Sequence, residues 1–367
     1  MGRQGHQARR IRLRGVFGMG AETQLIIGMP AGSLADPKRG GSLVTLLKNA
    51  GFPTRGYESG GPTTFTTVNF LFGWDGRPQE FGSQLDLGEL DLAIAGDDWV
   101  TERRLELQIE YGQTCNIERV MPLNRGAVRI VGITADPNIE NAGQALKKIL
   151  AHKDRVTVVT EMPYLALDWV RRSVIAAGYG EEYTKWSVQK YRTPPRIDKG
   201  IIVYETWGKT EAKVKNGGAD LAMDITQSGS AIRGYGLKII DEVMKSESAV
   251  YMNPLVRQNP AKRELARMFL LNLLGAVNAE DKVMVVFDAP KDRAAAIEEY
   301  LGAHHLFADE PSKTEGEKFI QYSIQMVSDD PAIPIAKARY DLARLGARSI
   351  NTMPLESAIP SVASIDL

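Results

Sequence analysis

Short β-branched apolar runs alternate with amphipathic segments from Thr23 almost to the end of the chain, and this alternation constrains the fold more than any other feature. "TQLIIGMP", closed by Pro30, reads as a strand. "GGSLVTLLKNAGF" carries Leu43, Leu46 and Leu47 at helical spacing and stops at Gly51. "TTVNFLFGW" is strand-like in its β-branched and aromatic content. "GRPQEFGSQLDLGEL" predicts a helix with Phe81, Leu85 and Leu87 inward, and "DLAIAGDDWV" a buried strand running into a polar loop. This β-α-β-α-β order predicts an α/β unit, a parallel sheet flanked by helices.

The pattern restarts near Ala127. "GAVRIVGIT", "DRVTVVTEM" and "GIIVYETWG" read as strands, and "NAGQALKKILAH", "LALDWVRRSVIAAG" and "TEAKVKNGG" as helices. "NPAKRELARMFLLNLLGAVNAED" is a long amphipathic connector helix. From Asp281 onward a compact β-α-β-α-β series predicts a small α+β module suited to ligand sensing or assembly. The expected organisation is a basic, disordered tail over 1–21, with Met19 as a natural start. A first domain spans 22–126 and also receives about 233–256. A second spans 127–232, the connector covers 257–280, and the last module covers 281–367.

Charge and cysteine usage narrow the partners. Lys+Arg and Asp+Glu number 45 each, so no global field favours nucleic acid or an anionic membrane. No apolar run approaches the roughly 20 residues that span a bilayer. The single cysteine, Cys115, has no internal partner for a disulfide, which fits a reducing cytoplasm. One Cys and four His make a soft-metal cluster a poor expectation. There is no P-loop, strand-linked GxGxxG, GxSxG elbow or HExxH.

The chemistry concentrates in "GGADLAMDITQSGSAIRGYGL". Thr226, Ser228 and Ser230 offer hydroxyls, and Gly229 allows close backbone approach, so the turn suits a phosphate dianion. Asp220 and Asp224 can accept hydrogen bonds from vicinal sugar hydroxyls. An acid followed by a Thr/Ser-Gly turn is what a phosphorylated pentose requires. The same residues also make an ordinary capped helix start, and composition leaves both readings open.

Weaker signals stand elsewhere. "ELDLAIAGDDWV" echoes the motif above, and two such strand ends, one per half of the chain, could face each other across a cleft. Arg77 in "GWDGRPQEF" is a cation beside a rigid proline, or simply the start of a helix. In "YETWGKTEAKV", Lys209 could meet a pyrophosphate and Glu211 could cap a helix or bind a metal-bound water. Glu161 ends the strand "RVTVVTE", where it could touch ribose or a metal, or stay solvated. His152, His304 and His305 read as surface residues, and His6 lies in the tail.

Taken in order from about Leu25, these stretches resemble the long form of ATP phosphoribosyltransferase, the first enzyme of histidine biosynthesis. "IIGMPAGSL" resembles that family's opening strand and loop, "RPQEF" its Arg-Pro-Gln-acid segment, and "RVTVVTEMPYLAL" its "RIATEYPNLT". "YETWGKTE" resembles its Gly-x-x-Glu turn, and "GGADLAMDITQSGSAIRGYGLKIIDEVMKSESAV" its phosphoribosyl-diphosphate loop and returning strand. "NTMPLESAIP" is similar to the end of its histidine-sensing domain.

The resemblance implies a two-domain, type II periplasmic-binding-protein-like core with a ferredoxin/ACT-like C-terminal domain. It implies phosphoribosyl transfer to N1 of the adenine of ATP with Mg²⁺, in a histidine-inhibited homo-hexamer. It implies Asp224 and Glu161 as catalytic carboxylates. Phosphoribosyl diphosphate then falls to Asp220, Asp224, Thr226, Gln227, Ser228, Gly229, Ser230, Gly208, Lys209 and Thr210. ATP falls to Arg77, Gly96, Asp97 and Asp98.

The chain departs from the family pattern at Ala31, where Lys is common, and at Ala231-Ile232, where Thr- or Ser-Leu is common. It departs again at Leu167-Asp168, where a cation is common. Arg171, Arg172 and Lys209 are the expected compensating cations. Paralogous transfer to another base, or a sensor of the same fold without chemistry, are the rival expectations.

Overall fold

The protein's computed structural model describes residues 23–31, 43–306 and 312–367. The tail over 1–21 and the opening loop from Gly32 to Leu34 lie outside them. The first lobe contains β1 (Leu25–Pro30), α1 (Leu43–Asn49), a small hairpin of β2 (Thr54–Arg55) and β3 (Thr64–Phe65), and β4 (Leu71–Gly76). It continues through α2 (Pro78–Asp86), β5 (Leu92–Gly96), α3 (Asp97–Tyr111) and β6 (Glu118–Pro122).

The second lobe runs through β7 (Val128–Thr134), α4 (Ala142–Leu150), β8 (Arg155–Thr160), α5 (Pro163–Ala176), β9 (Trp186–Lys190) and β10 (Gly200–Glu205). It ends with α6 (Thr210–Lys215), β11 (Leu221–Thr226), α7 (Ser230–Gly234) and β12 (Lys238–Ser246). β13 (Ser248–Met252), α8 (Leu255–Gln258) and α9 (Pro260–Ala279) follow.

The first sheet has the order β4-β1-β5-β13-β6 and the second β12-β7-β11-β8-β10-β9. Both are mixed rather than parallel throughout. β13 runs antiparallel to β5 and β6, and β7 antiparallel to β11 and β12. The chain crosses between the lobes at 123–127 and returns at Glu247. The expected return at 233 is therefore early, because β12 still pairs with β7 of the second sheet. Only β13 re-enters the first.

α9 is more than a connector. Its Phe269, Leu270 and Leu273 are buried in the same core as Leu25, Ile27, Leu43 and Leu47. Removing a side chain of that size from water stabilises by about 1.5–3 kcal/mol. Leu87, expected inward, is 74% exposed, because α2 ends at Asp86 one residue before it.

The last unit comprises β14 (Lys282–Pro290), α10 (Ala294–Ala303), β15 (Ser312–Glu315), β16 (Phe319–Val327), α11 (Ile335–Arg344) and β17 (Arg348–Pro354). Its antiparallel order β15-β16-β14-β17 is that of a ferredoxin-like βαββαβ sheet. Phe287 and Tyr322 stack in its core at 5.4 Å. Beyond β17 the chain turns back onto α9, where Ala358 N–H donates to Gly275 O (2.8 Å), and Ile365 joins the first lobe's core.

Candidate active site

The carboxyl ends of β8, β10 and β11 carry three acids close together. Asp224 lies on β11, Glu161 follows β8, and Glu211 opens α6 after β10. Burial pushes the Asp224 carboxyl up to about 7, and hydrogen bonding to Glu211 and the negative charges of Glu211 and Glu161 push it the same way. Against this, Ile225 N–H donates to Asp224 Oδ1 (2.8 Å). Glu161 is held by the turn beside it, where Gly208 N–H donates to Glu161 Oε1. That turn puts Gly208 and Lys209 at φ values of 70° and 57°, the left-handed region that glycine enters freely and lysine seldom does.

The loop after β11 folds on itself. Gly229 N–H donates to Thr226 Oγ1 (2.8 Å), Ser230 N–H to Ser228 Oγ (3.3 Å), and Ser228 Oγ donates to Ser230 Oγ (3.0 Å). Gly229 is at φ 72°, the left-handed region that glycine enters freely. Gln227, Ser228 and Ser230 are exposed. Ala231 is exposed as well, so the hydroxyl missing there is missing from the accessible face.

Two cavities lie between the lobes. One, about 520 Å³, is lined by Asp97 and Gln227, so the ends of β5 and β11 do face a common space, with Arg129 and Lys245 beside them. The other, about 400 Å³, has Arg77, Gln79, Trp99 and Glu102 on its first-lobe wall and Glu161, Tyr164 and Trp207 on its second-lobe wall. Sites of this size are ordinary for small-molecule ligands.

Several expected residues have other employment. Asp220 sits at the amino end of β11, away from the loop. Its Oδ2 accepts from Thr157 N–H (2.9 Å) and Thr157 Oγ1 (2.7 Å), and it pairs with Lys153, which ties β11 to β8. It is a structural clamp, because in open sheets ligands gather at the carboxyl ends. Thr210 is 1% exposed and unavailable to a ligand.

Asp97 and Asp98 form the first turn of α3 rather than a polar loop. The Asp97 carboxylate is engaged by Arg119 (2.9 Å) and by the Tyr251 hydroxyl. Asp98 is 5% exposed, with its N–H on Ser246 Oγ (3.0 Å), and burial raises its carboxyl. A Cβ on Gly96 would meet Asp98 Oδ1 at 2.2 Å, so that glycine serves packing.

The proposed compensating cations Arg171 and Arg172 face outward. Arg172 pairs with Asp168 (2.9 Å), and Arg171 lines a separate hollow with Glu181 and Glu182. Leu167 is buried core.

Sequence reading missed Gln79, Trp99, Glu102 and Trp207. Trp99, Glu102 and Ile109 recur at helical spacing, a pattern hidden by the reading of α3 as a loop.

A sequence model described as ATP phosphoribosyltransferase (HisG) matches residues 77–273, more than half of the chain. The chain belongs to the ATP phosphoribosyltransferase family. ATP phosphoribosyltransferase of Trichlorobacter lovleyi is 28% identical over 92% of this chain and 99% of its own. ATP phosphoribosyltransferase 1 of Geobacter sulfurreducens is 26% identical over 91% and 99%. Among solved structures, an ATP phosphoribosyl transferase (HisG:HisZ) complex from Thermotoga maritima matches with a TM-score of 0.47 and 18% identity, over 68% of this chain and 97% of that one. The family's members are pentosyl transferases. Its matched span runs from Arg77 through both lobes into α9 and includes both cavities and the acid cluster. Among the described residues no helix is long and apolar enough to cross a membrane, and no group of three or more His, Cys, Asp or Glu is arranged to hold a metal ion.

Proposed function

We propose that the protein transfers the 5-phosphoribosyl group of phosphoribosyl diphosphate to N1 of the adenine of ATP, the first step of histidine biosynthesis. The observation that carries this reading is the grouping of Asp224, Glu161 and the Thr226–Ser230 loop at the carboxyl ends of one lobe's strands, with Glu161 across one cleft from Arg77 and Gln227 across another from Asp97. In the reaction the bond from C1 of ribose to pyrophosphate breaks and the N1–C1 bond forms. Asp224 accepts the ribose hydroxyls, while Thr226, Gln227, Ser228 and Ser230 with the Gly229 backbone hold the 5-phosphate. Glu161, oriented by Gly208 N–H, lies beside the ribose as positive charge develops at C1. Adenine N1 is already nucleophilic, so most of the work is positioning two polyanions. Arg77 supplies a cation at the first-lobe wall, and Lys209 follows Gly208 in the turn that holds Glu161.

Magnesium fits the hard oxygen donors here. Mg²⁺ keeps several waters and needs only one or two carboxylates beside substrate phosphates, and Glu161 and Glu211 would provide these. When bound, it neutralises charge on the departing pyrophosphate. Histidine inhibition through the unit from Asp281 onward, a hexamer and a cytoplasmic location accompany this reading.

The test is pyrophosphate release with Mg²⁺ and each substrate alone or together. Release is expected only when both are present. Activity on another base with indifference to ATP would redirect the reading to a paralogous transferase, and binding without turnover would redirect it to a sensor.

A further inference from the structure

The turn between β10 and α6 has one residue held from both sides. Gly208 N–H donates to Glu161 Oε1 (2.5 Å), and Gly208 O accepts from the Lys213 ammonium (2.5 Å). The ends of the turn are anchored too. Thr206 N–H extends the pairing of β10 with β8 by donating to Thr160 O (2.9 Å), and Thr206 and Thr210 are buried. Between these anchors the backbone is strained. Gly208 and Lys209 are consecutive left-handed residues, and a lysine in that region persists only where surrounding bonds over-determine it.

Lys213 is placed to supply such a bond. It lies on α6, five residues beyond Gly208, with its ammonium 5.3 Å from the centre of the Tyr191 ring. That ring packs edge-on against Tyr204 at 5.9 Å, so the ammonium rests between a fixed aromatic face and the Gly208 carbonyl. Among the described residues it has no carboxylate partner, so its charge acts on the turn rather than in a surface ion pair.

We propose that Lys213 is a positioning residue for the reaction: by holding Gly208 O it keeps the turn in the conformation whose Gly208 N–H fixes Glu161 Oε1, and so sets where the Glu161 carboxylate meets the ribose. The inference rests on the reaction and on the role of Glu161 proposed above. With Oε1 engaged by the turn, Oε2 is the oxygen left for a substrate in the cleft that Glu161 lines. A carboxylate set against charge developing at C1 works by being preorganised, and displacing such a group by about 1 Å can cost on the order of a hundredfold in rate. Lys213 does not line the cleft, so it acts through Glu161.

The experiment is a double-mutant cycle in full-length chains: wild type, Lys213→Met, Lys213→Arg, Glu161→Gln, and Lys213→Met combined with Glu161→Gln. The readouts are kcat, KM for each substrate and Tm. Lys213→Met keeps an unbranched stem and removes the donor. It should lower kcat on the order of tenfold and leave KM for ATP unchanged, the pattern of an interaction made in the transition state. Lys213→Arg keeps a cation and a donor and should restore most of kcat. In the Glu161→Gln background no carboxylate remains to be positioned, so Lys213→Met should change kcat by less than about twofold.

An equal loss of kcat from Lys213→Met in both backgrounds overturns the positioning role, since Lys213 would then act independently of Glu161. So does a fall in Tm with kcat unchanged, which would mark a structural contact only. A Glu161→Gln chain with the kcat of wild type overturns the role of Glu161 and this inference together, and leaves the reaction standing. A wild type that releases no pyrophosphate from the two substrates overturns the reaction as well.

Discussion

Glu102 and Tyr164 join the two lobes: the Glu102 carboxylate of α3 accepts the N–H of Tyr164 (2.9 Å) and then of Leu165 (2.7 Å) at the start of α5. A helix start leaves such N–H groups without intrahelical partners, and here the other lobe satisfies them. Trp99, Leu105 and Ile109 of α3 pack on the second lobe's core, and the Tyr164 hydroxyl donates to Glu110 (2.7 Å), so the contact is broad. Glu161 lies three residues before Tyr164, so this clamp also fixes where β8 delivers its acid. Glu102→Ala should orphan two buried donors, at about 1–3 kcal/mol each, and lower Tm. A Tm within experimental error of wild type would refute the clamp.

The same carboxylate makes stability pH-dependent. Burial pushes Glu102 up to about 7, opposed by the two N–H donors and aided by the charges of Glu106 and Glu205. A carboxyl raised in the folded state holds its proton there after the unfolded chain has released it. Stability from this group is thus greatest below about 4.5, the unfolded value, and is lost as pH rises through about 7. Glu102→Gln cannot titrate. The Tm advantage of wild type over Glu102→Gln should therefore be larger at pH 5.5 than at pH 8, and a difference that stays flat with pH would contradict the burial account.

Asp224 obeys the same sign for stability but the opposite for activity. Its ionised form is the one that accepts ribose hydroxyls, so kcat/KM should rise with pH through about 7. Glu161→Gln removes a negative charge that holds Asp224 up, so the inflection should move to lower pH while burial keeps it above an ordinary Asp. An inflection that stays put in Glu161→Gln would separate it from Asp224.

Much of this was legible in the sequence because strands and helices announce themselves by period. The runs that became β1, β5, β8, β10 and β11 read directly, as did the hydroxyl-rich turn after Asp224. Position along a strand did not read. Asp220 and Asp224 flank one apolar run, yet only the carboxyl end reaches the cleft, and the other acid clamps Thr157. The start of α3 was hidden because Asp97-Asp98 after glycine looks like a loop, although acids in a first helical turn favour the dipole. Trp99 and Trp207 carry no local signal, since the cleft they line is made by both lobes.

Asp220→Asn supplies a control for that distinction. It weakens bonds to Thr157 and Lys153 at the closed end of the sheet, at roughly 1–3 kcal/mol. Tm should fall while KM for phosphoribosyl diphosphate holds. A rise in that KM without loss of Tm would return Asp220 to the ribose site.

Ala231 tests the loop from the other direction. It is exposed in the first turn of α7, directly after Ser230, and follows the hydroxyls of Thr226 and Ser228 around the same turn. If the loop holds the 5-phosphate, a hydroxyl at this position adds one hydrogen bond to a dianion, worth about 1.5–3 kcal/mol when well made. Ala231→Thr should then lower KM for phosphoribosyl diphosphate by roughly tenfold to a hundredfold and leave KM for ATP alone. Ala231→Val matches the shape without the hydroxyl and should give no gain. Equal effects from both substitutions would assign the change to packing, and the turn would have no claim on the phosphate.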